Sequence, residues 1–180
     1  MQTVKMVVTG PFAAGKTEFI RTISEIDVVS TERKISSDAE RIKDATTVAM
    51  DFGRITVDEE LVLYLFGTPG QKRFDFMWEI LSEGMLGFIV IVDSSRPETF
   101  REARGILDTF RGYAETPYVI AANKQDSEDA WSPDDLRIAL KISKDIKVLP
   151  CVANDKDLVK GVLLELLYSI LETMDLEGAG

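Results

Sequence analysis

Histidine is absent from this sequence, and cysteine occurs once, at Cys151. The first absence excludes histidine-based acid–base catalysis and histidine metal ligation. The second excludes an internal disulfide. No apolar run approaches the ~20 residues that a membrane-spanning helix needs. Positive charge is also scarce, with 21 lysines and arginines against 31 acids and a net charge of −10. Such a chain has no general attraction to nucleic acid or to an anionic membrane, so no nucleic-acid partner is expected. Met1-Gln2-Thr3-Val4 leads directly into strand-type residues and shows neither a signal peptide nor a myristoylation pattern. Leu176-Glu177-Gly178-Ala179-Gly180 offers no cysteine to prenylate. The expectation is a cytoplasmic protein with no integral membrane segment and no lipid anchor. What is present suffices for one domain: 180 residues, 45% of them hydrophobic, can bury a sizeable core.

The strongest local signal is Gly10-Pro11-Phe12-Ala13-Ala14-Gly15-Lys16-Thr17, a G-x-x-x-x-G-K-T phosphate loop. The apolar, β-branched stretch Val4-Lys5-Met6-Val7-Val8-Thr9 precedes it, and Phe19, Ile20 and Ile23 follow at helical spacing. A loop between strand and helix is the context this chemistry needs. Glycines let the backbone N–H groups turn toward a phosphate, and the following helix directs its positive end at the anion. In that motif Lys16 reaches the β- and γ-phosphates and the Thr17 hydroxyl binds Mg²⁺.

Along the chain, residues 26–45 are polar and charged and read as a long connection. Two strand-type runs, 46–57 and 61–66, flank Asp58-Glu59-Glu60 and predict an antiparallel hairpin. Gly67-Thr68-Pro69-Gly70 ends it. A helix is expected near Asp75, within an aromatic-rich cluster read as core, with a partner-binding surface as the alternative. Residues 87–93 and 118–122 are apolar strands, and 147–152 is a last one. Ser95-Arg96-Pro97-Glu98 carries a capping-box spacing at a helix start, and Ser132-Pro133 opens another helix. An amphipathic final helix contains Leu158, Val162, Leu166 and Ile170. Alternating strands and helices predict an α/β, three-layer fold with a mostly parallel six-stranded sheet and one antiparallel strand. Ligands of such sheets bind at the carboxyl ends of the strands. The phosphate loop, residues 67–70, residues 123–126 and the segment after Cys151 all follow strands, so they are expected to converge there.

Asn123-Lys124-Gln125-Asp126 matches N-K-x-D. A carboxylate at Asp126 accepts two hydrogen bonds, from the N1–H and the exocyclic amine of guanine. Adenine presents an acceptor at N1, and a site built on such pairing rejects it. Asn123 is placed to brace neighbouring loops, and the Lys124 stem to lie over the base.

The stretches GPFAAGKT, TTVAMDFG, LFGTPGQ and NKQD together resemble the Ras-like small GTPases of the P-loop NTPase fold. Within that family the resemblance points to the prokaryotic branch of the actinobacterial conservon GTPases and the bacterial gliding-polarity GTPase. It covers residues 1–175 as a single domain, leaving 176–180 as a tail. It implies a GTP/GDP switch with Mg²⁺-dependent GTP hydrolysis, and the bulk of Phe12 near Gln71 and the stiffness of Pro69 add the expectation that this hydrolysis is slow. By that resemblance Lys16 and Gln71 are catalytic, Gln71 orienting the attacking water, and Thr17 and Thr47 are the metal ligands. Gly10, Phe12, Ala13, Ala14, Gly15 and Glu18 line the phosphate side, with Thr47 and Gly70 closing on it. Asn123, Lys124, Asp126, Val152, Ala153 and Asn154 form the base side, the Ala153 N–H meeting the guanine O6. Activating and exchange proteins are the implied partners, with roadblock-class regulators among them.

Three departures bear on function. Gly67 stands where the family usually has an aspartate, so the acid of the magnesium site is missing there. Asp93 also ends an apolar strand, but in the implied topology it follows a different one. Phe12 occupies a loop position that is glycine in the Ras branch. Val152 and Asn154 replace two residues of the base-side loop. Gly67 and Phe12 motivate an alternative, a nucleotide-binding scaffold with little or no hydrolysis. An ATP-dependent phosphotransferase is a third reading, and Asp126 argues against it.

Overall fold

The computed structural model describes residues 2–27, 29–35, 46–70 and 75–178, with side chains described for 2–27, 50–70 and 75–176. In chain order it runs β1 (Gln2–Thr9), α1 (Lys16–Ile23), β2 (Val29–Ile35), β3 (Thr46–Asp58), β4 (Leu61–Gly67), α2 (Phe76–Ser82) and β5 (Gly87–Asp93). A 3₁₀ turn at Pro97–Thr99 leads into α3 (Phe100–Tyr113), followed by β6 (Tyr118–Asn123), α4 (Pro133–Ala139), β7 (Val148–Pro150) and α5 (Lys156–Gly178). The strands form one sheet in the order β2-β3-β4-β1-β5-β6-β7. All neighbours from β4 to β7 pair in parallel, while β3 pairs antiparallel with both β2 and β4. One strand, β3, therefore runs against the rest, as the hairpin predicted.

The sheet has seven strands because β2 joins its edge, within the stretch read as a connection. Val29, Thr31 and Ile35 are β-branched strand formers, and β2 pairs residue for residue with 46–52. α5 runs without a break past residue 175 to Gly178.

Alternation along the central strands sends side chains into two cores. Met6, Val8, Ile89 and Ile91 pack on one face under α1 and α5, with Phe19, Ile20, Val162, Leu166 and Ile170. Val7, Phe88, Val90 and Val92 pack on the other face under α2, α3 and α4, with Trp78, Ile106, Phe110 and Leu136. The result is a three-layer P-loop NTPase fold. β4 is buried along most of its length, as its continuous apolar run implied. In the aromatic cluster Trp78, Leu81 and Met85 are core, whereas Phe76 and Ile80 are exposed.

Two local expectations resolve differently. Ser132 does cap α4, its hydroxyl accepting from the Asp135 N–H at 3.2 Å. Ser95 does not act as a helix cap. Its N–H and hydroxyl both donate to Asp93 Oδ1, at 3.0 and 2.6 Å. The buried carboxylate at the end of β5 holds the Ser95 hydroxyl, and the short helix that follows starts from Arg96 with no side-chain cap.

Candidate nucleotide site

β1 delivers the chain to the phosphate loop, and α1 leaves it. Gly10 has φ 147°, Ala13 63° and Gly15 112°. Glycine takes such angles freely, so of the three only Ala13 carries backbone strain, held by its surroundings. A Cβ on Gly10 would stand 2.2 Å from the Ile91 carbonyl oxygen, and one on Gly15 would stand 2.4 Å from Asn123 Nδ2. Glycine at both positions is a requirement of space as well as of conformation.

Lys16 is buried, and its ammonium donates to the carbonyls of Gly10 and Pro11 at 2.7 and 2.8 Å. Burial pulls its pKa down to about 8, against the opposing pull of Glu102 and Asp51. Gly70 comes close on the other side. A Cβ there would lie 2.8 Å from Lys16 Nζ and 2.8 Å from Phe12 Cα. The approach to Gly70 is held from α2, where the Trp78 indole donates to the Pro69 carbonyl at 3.0 Å. Thr68 is pinned by hydrogen bonds from its N–H to the Val8 carbonyl and from its hydroxyl to Thr9 Oγ1. The Phe12 ring points outward, 62% exposed.

The base side is built around Asn123, which is buried at the end of β6. Its Nδ2 donates to the Ala14 carbonyl at 2.8 Å, and its Oδ1 accepts from the Ala153 N–H at 2.9 Å. One amide thus ties the phosphate loop to the loop after β7. The Thr22 hydroxyl, donating to the Ala153 carbonyl at 2.6 Å, ties that loop to α1 as well. The Ala153 N–H, expected to face a base oxygen, is occupied by this brace. Lys124 has φ 63° and forms an ion pair with Asp93 at 3.1 Å. Burial alone would raise the Asp93 pKa, but hydrogen bonds from Ser95 and Lys124 outweigh it and leave the acid below its ordinary value. Asp93 is committed to Lys124 and Ser95, not to the phosphate loop. Cys151 is fully buried, and burial, reinforced by Asp155, pushes its thiol up to about 12, so it is no nucleophile.

These elements enclose a cleft of about 340 Å³ lined by Ala13, Gly15 and Glu18 from the first loop and helix, Asn123, Lys124 and Asp126 from the second, and Val152, Ala153 and Asn154 from the third. Each is a residue that the sequence singled out, and they come from three separate strand ends. Asp126 is exposed, and among the described residues none donates a hydrogen bond to its carboxylate. Thr17 lies at the phosphate end, its hydroxyl donating to Asp51 Oδ2 at 2.5 Å. Hydroxyl and carboxylate oxygens are the hard donors that suit Mg²⁺, so a magnesium ion fits this donor set. Gln71 lies outside the described residues, and so does the Thr47 side chain. The Thr47 backbone pairs with Lys34 across β2 and β3.

A helix-flanked, mostly parallel sheet with a glycine-built loop after its first strand defines a nucleotide-binding protein of the P-loop class. The chain matches a family described as "Conserved hypothetical ATP binding protein" over residues 27–179, and it belongs to that family. It is 32% identical to an uncharacterized protein of Methanocaldococcus jannaschii over 70% of this chain and 73% of that one. It is 28% identical to a Ras-related protein of Arabidopsis thaliana over 68% of this chain and 50% of that one. The Ras-related protein SEC4 of Saccharomyces cerevisiae is likewise 28% identical, over 72% and 63%. The chain thus spans only half to two thirds of these two Ras-related proteins. These matches relate it to the Ras-like proteins as a whole, not to the conservon and gliding-polarity branches in particular. No helix among the described residues is long and apolar enough to cross a membrane.

Proposed function

We propose that residues 1–175 form a guanine-nucleotide switch domain that binds GTP and GDP with Mg²⁺ and hydrolyses GTP slowly. The observation that carries this reading is the convergence of the phosphate loop, Asn123–Asp126 and the loop after Cys151 on one cleft. A bound Mg²⁺ would supply charge neutralisation at the β- and γ-phosphates, held by Thr17 and Thr47. Lys16 leaves the Gly10 and Pro11 carbonyls to meet the phosphates. The Asp126 carboxylate accepts from the guanine edge, while Asn123 keeps the two loops at fixed separation. Gln71, next to Gly70, positions the water, and in-line attack needs little more than placement and electrostatics. The Phe12 backbone abuts Gly70; a bulky side chain at that loop position would crowd the water-positioning residue that follows, and Pro69 stiffens the approach, so unassisted turnover is slow. Activating and exchange proteins, roadblock-class regulators among them, are the partners of such a switch.

A second reading comes from the family description, which names ATP. The two separate on the base. In competition binding to the full chain, GTP should win over ATP, and Asp126→Asn should lose GTP and gain xanthosine triphosphate, whose carbonyl replaces the amine. The loss should be several kcal/mol, on the scale of an unpaired buried polar group. Equal GTP affinity in wild type and variant, or preference for ATP, rejects the guanine reading. Single-turnover hydrolysis then divides a switch from a scaffold that only binds.

A further inference from the structure

β3 and β4 are in register so that Asp51 lies directly opposite Gly67. A Cβ on Gly67 would meet Ile20 Cδ1 at 2.9 Å, Asp51 Cβ at 3.2 Å and Asp51 Oδ2 at 3.5 Å. The space beside Gly67 is therefore already taken by the Asp51 side chain, which reaches across to accept the Thr17 hydroxyl at 2.5 Å. The same carboxylate acts on the Lys16 ammonium, raising its pKa against burial.

We propose that Asp51 supplies, from β3, the carboxylate of the magnesium site that Gly67 cannot supply from β4. This rests on reading the phosphate loop as a polyphosphate site. The chemistry is specific. A carboxylate beside the loop repels a bound polyphosphate unless a divalent cation stands between them, so Asp51 makes nucleotide retention depend on Mg²⁺.

A purely mechanical role, tying α1 to β3, has weaker support because that tie exists without it. Gly53 packs so closely under α1 that a Cβ would meet Ile20 Cγ2 at 2.6 Å. The Arg54 N–H donates to Ser24 Oγ at 3.1 Å, and the Glu25 N–H donates to the Arg54 carbonyl at 2.9 Å. Phe52 stacks on Tyr64 at 5.6 Å and tilts against Phe66 at 5.1 Å on the opposite face of the strand. These contacts hold β3 in place and leave Asp51 aimed at Thr17.

The test is the Mg²⁺ concentration at which a fluorescent methylanthraniloyl-GDP is released from the full chain. Asp51→Asn keeps the shape and an acceptor for Thr17 but removes the charge, and it should raise the Mg²⁺ midpoint ~10-fold or more. Its melting temperature without metal or nucleotide should stay at the wild-type value. The double variant Asp51→Ala/Gly67→Asp, which returns one carboxylate to β4, should recover most of the shift. An unmoved midpoint in Asp51→Asn overturns the assignment. So does a raised midpoint matched by an equal loss of metal-free stability, which would mark Asp51 as a structural tie. Wild-type protein that does not bind the GDP probe at all refutes the nucleotide reading itself. Binding with a Mg²⁺ dependence indifferent to Asp51 refutes this inference alone.

Discussion

Replacing Asn123 by alanine removes one amide and orphans two backbone groups. The Ala14 carbonyl and the Ala153 N–H lose their partners at 2.8 and 2.9 Å, both in buried surroundings. An unsatisfied buried group costs about 1–3 kcal/mol, so two cost about 3 kcal/mol near the low end of the range. For a chain of this size about 3 kcal/mol lowers the melting temperature by about 6–12 °C. Urea or thermal unfolding without nucleotide measures this independently of any ligand. Asn123→Asp sharpens the argument. It keeps the acceptor for the Ala153 N–H but, when ionised, sets a buried carboxylate against the Ala14 carbonyl. Its folded-state pKa should then rise above the unfolded value, because only the protonated acid can donate to Ala14. A raised carboxyl pKa means that the folded state binds the extra proton. The variant's stability should therefore be greatest at acid pH and be lost as pH rises through the folded pKa. A loss below about 1 kcal/mol in Asn123→Ala would show that other contacts hold the loops, and would refute the bracing role.

The Lys16 ammonium, held near pKa 8 by burial, should be raised again by a polyphosphate, so binding takes up a proton at pH just above 8. Affinity then falls as pH rises past that point, and calorimetric heats should depend on the buffer's ionisation enthalpy; buffer-independent heats refute the shift. Gly67→Asp alone should not tighten Mg²⁺, because the new side chain meets Ile20 and Asp51 and adds a like charge. A lowered Mg²⁺ midpoint in that single variant would count against the crowding seen here. Intrinsic GTP hydrolysis should stay below about 10⁻² s⁻¹ and fall further in Gln71→Ala. Fast turnover unaffected by Gln71→Ala removes both claims. Trp78→Phe keeps an apolar ring but loses the indole N–H that fixes the Pro69 carbonyl, so it should raise hydrogen exchange around 68–70. Unchanged exchange there would assign the position of Pro69 to other contacts.

The sequence made the loops of the site legible because their chemistry needs contiguous residues. The G-x-x-x-x-G-K-T run and N-K-x-D each place several groups within one turn of backbone, so spacing alone exposes them. The layers were legible for a similar reason: buried parallel strands are continuous apolar runs. β2 was missed because only Val29 and Ile35 of its seven residues are apolar, and Glu32, Arg33 and Lys34 between them mimic a polar connection. Pairings between distant residues left no local trace. Nothing near Asp93 announces Lys124, and nothing near Pro69 announces Trp78.

Asp51 is the clearest such case, because its place depends on register. A one-residue slip of β3 against β4 would send its carboxylate to the opposite face of the sheet and set Phe52 toward α1. That slip is opposed by residues with no chemistry of their own. Phe52 has its ring partners, Tyr64 and Phe66, only on the far face, and Gly53 admits Ile20 only because it lacks a Cβ. An exposed or part-exposed ion or hydrogen-bond pair contributes little by itself, so the Thr17–Asp51 bond cannot set the register unaided. The packing sets it, and the acid follows. If Asp51 holds the metal as proposed, the glycine at position 67 is consequently no argument against a magnesium site. Two aromatic contacts and one missing methyl group hold another carboxylate at the same corner of the phosphate loop.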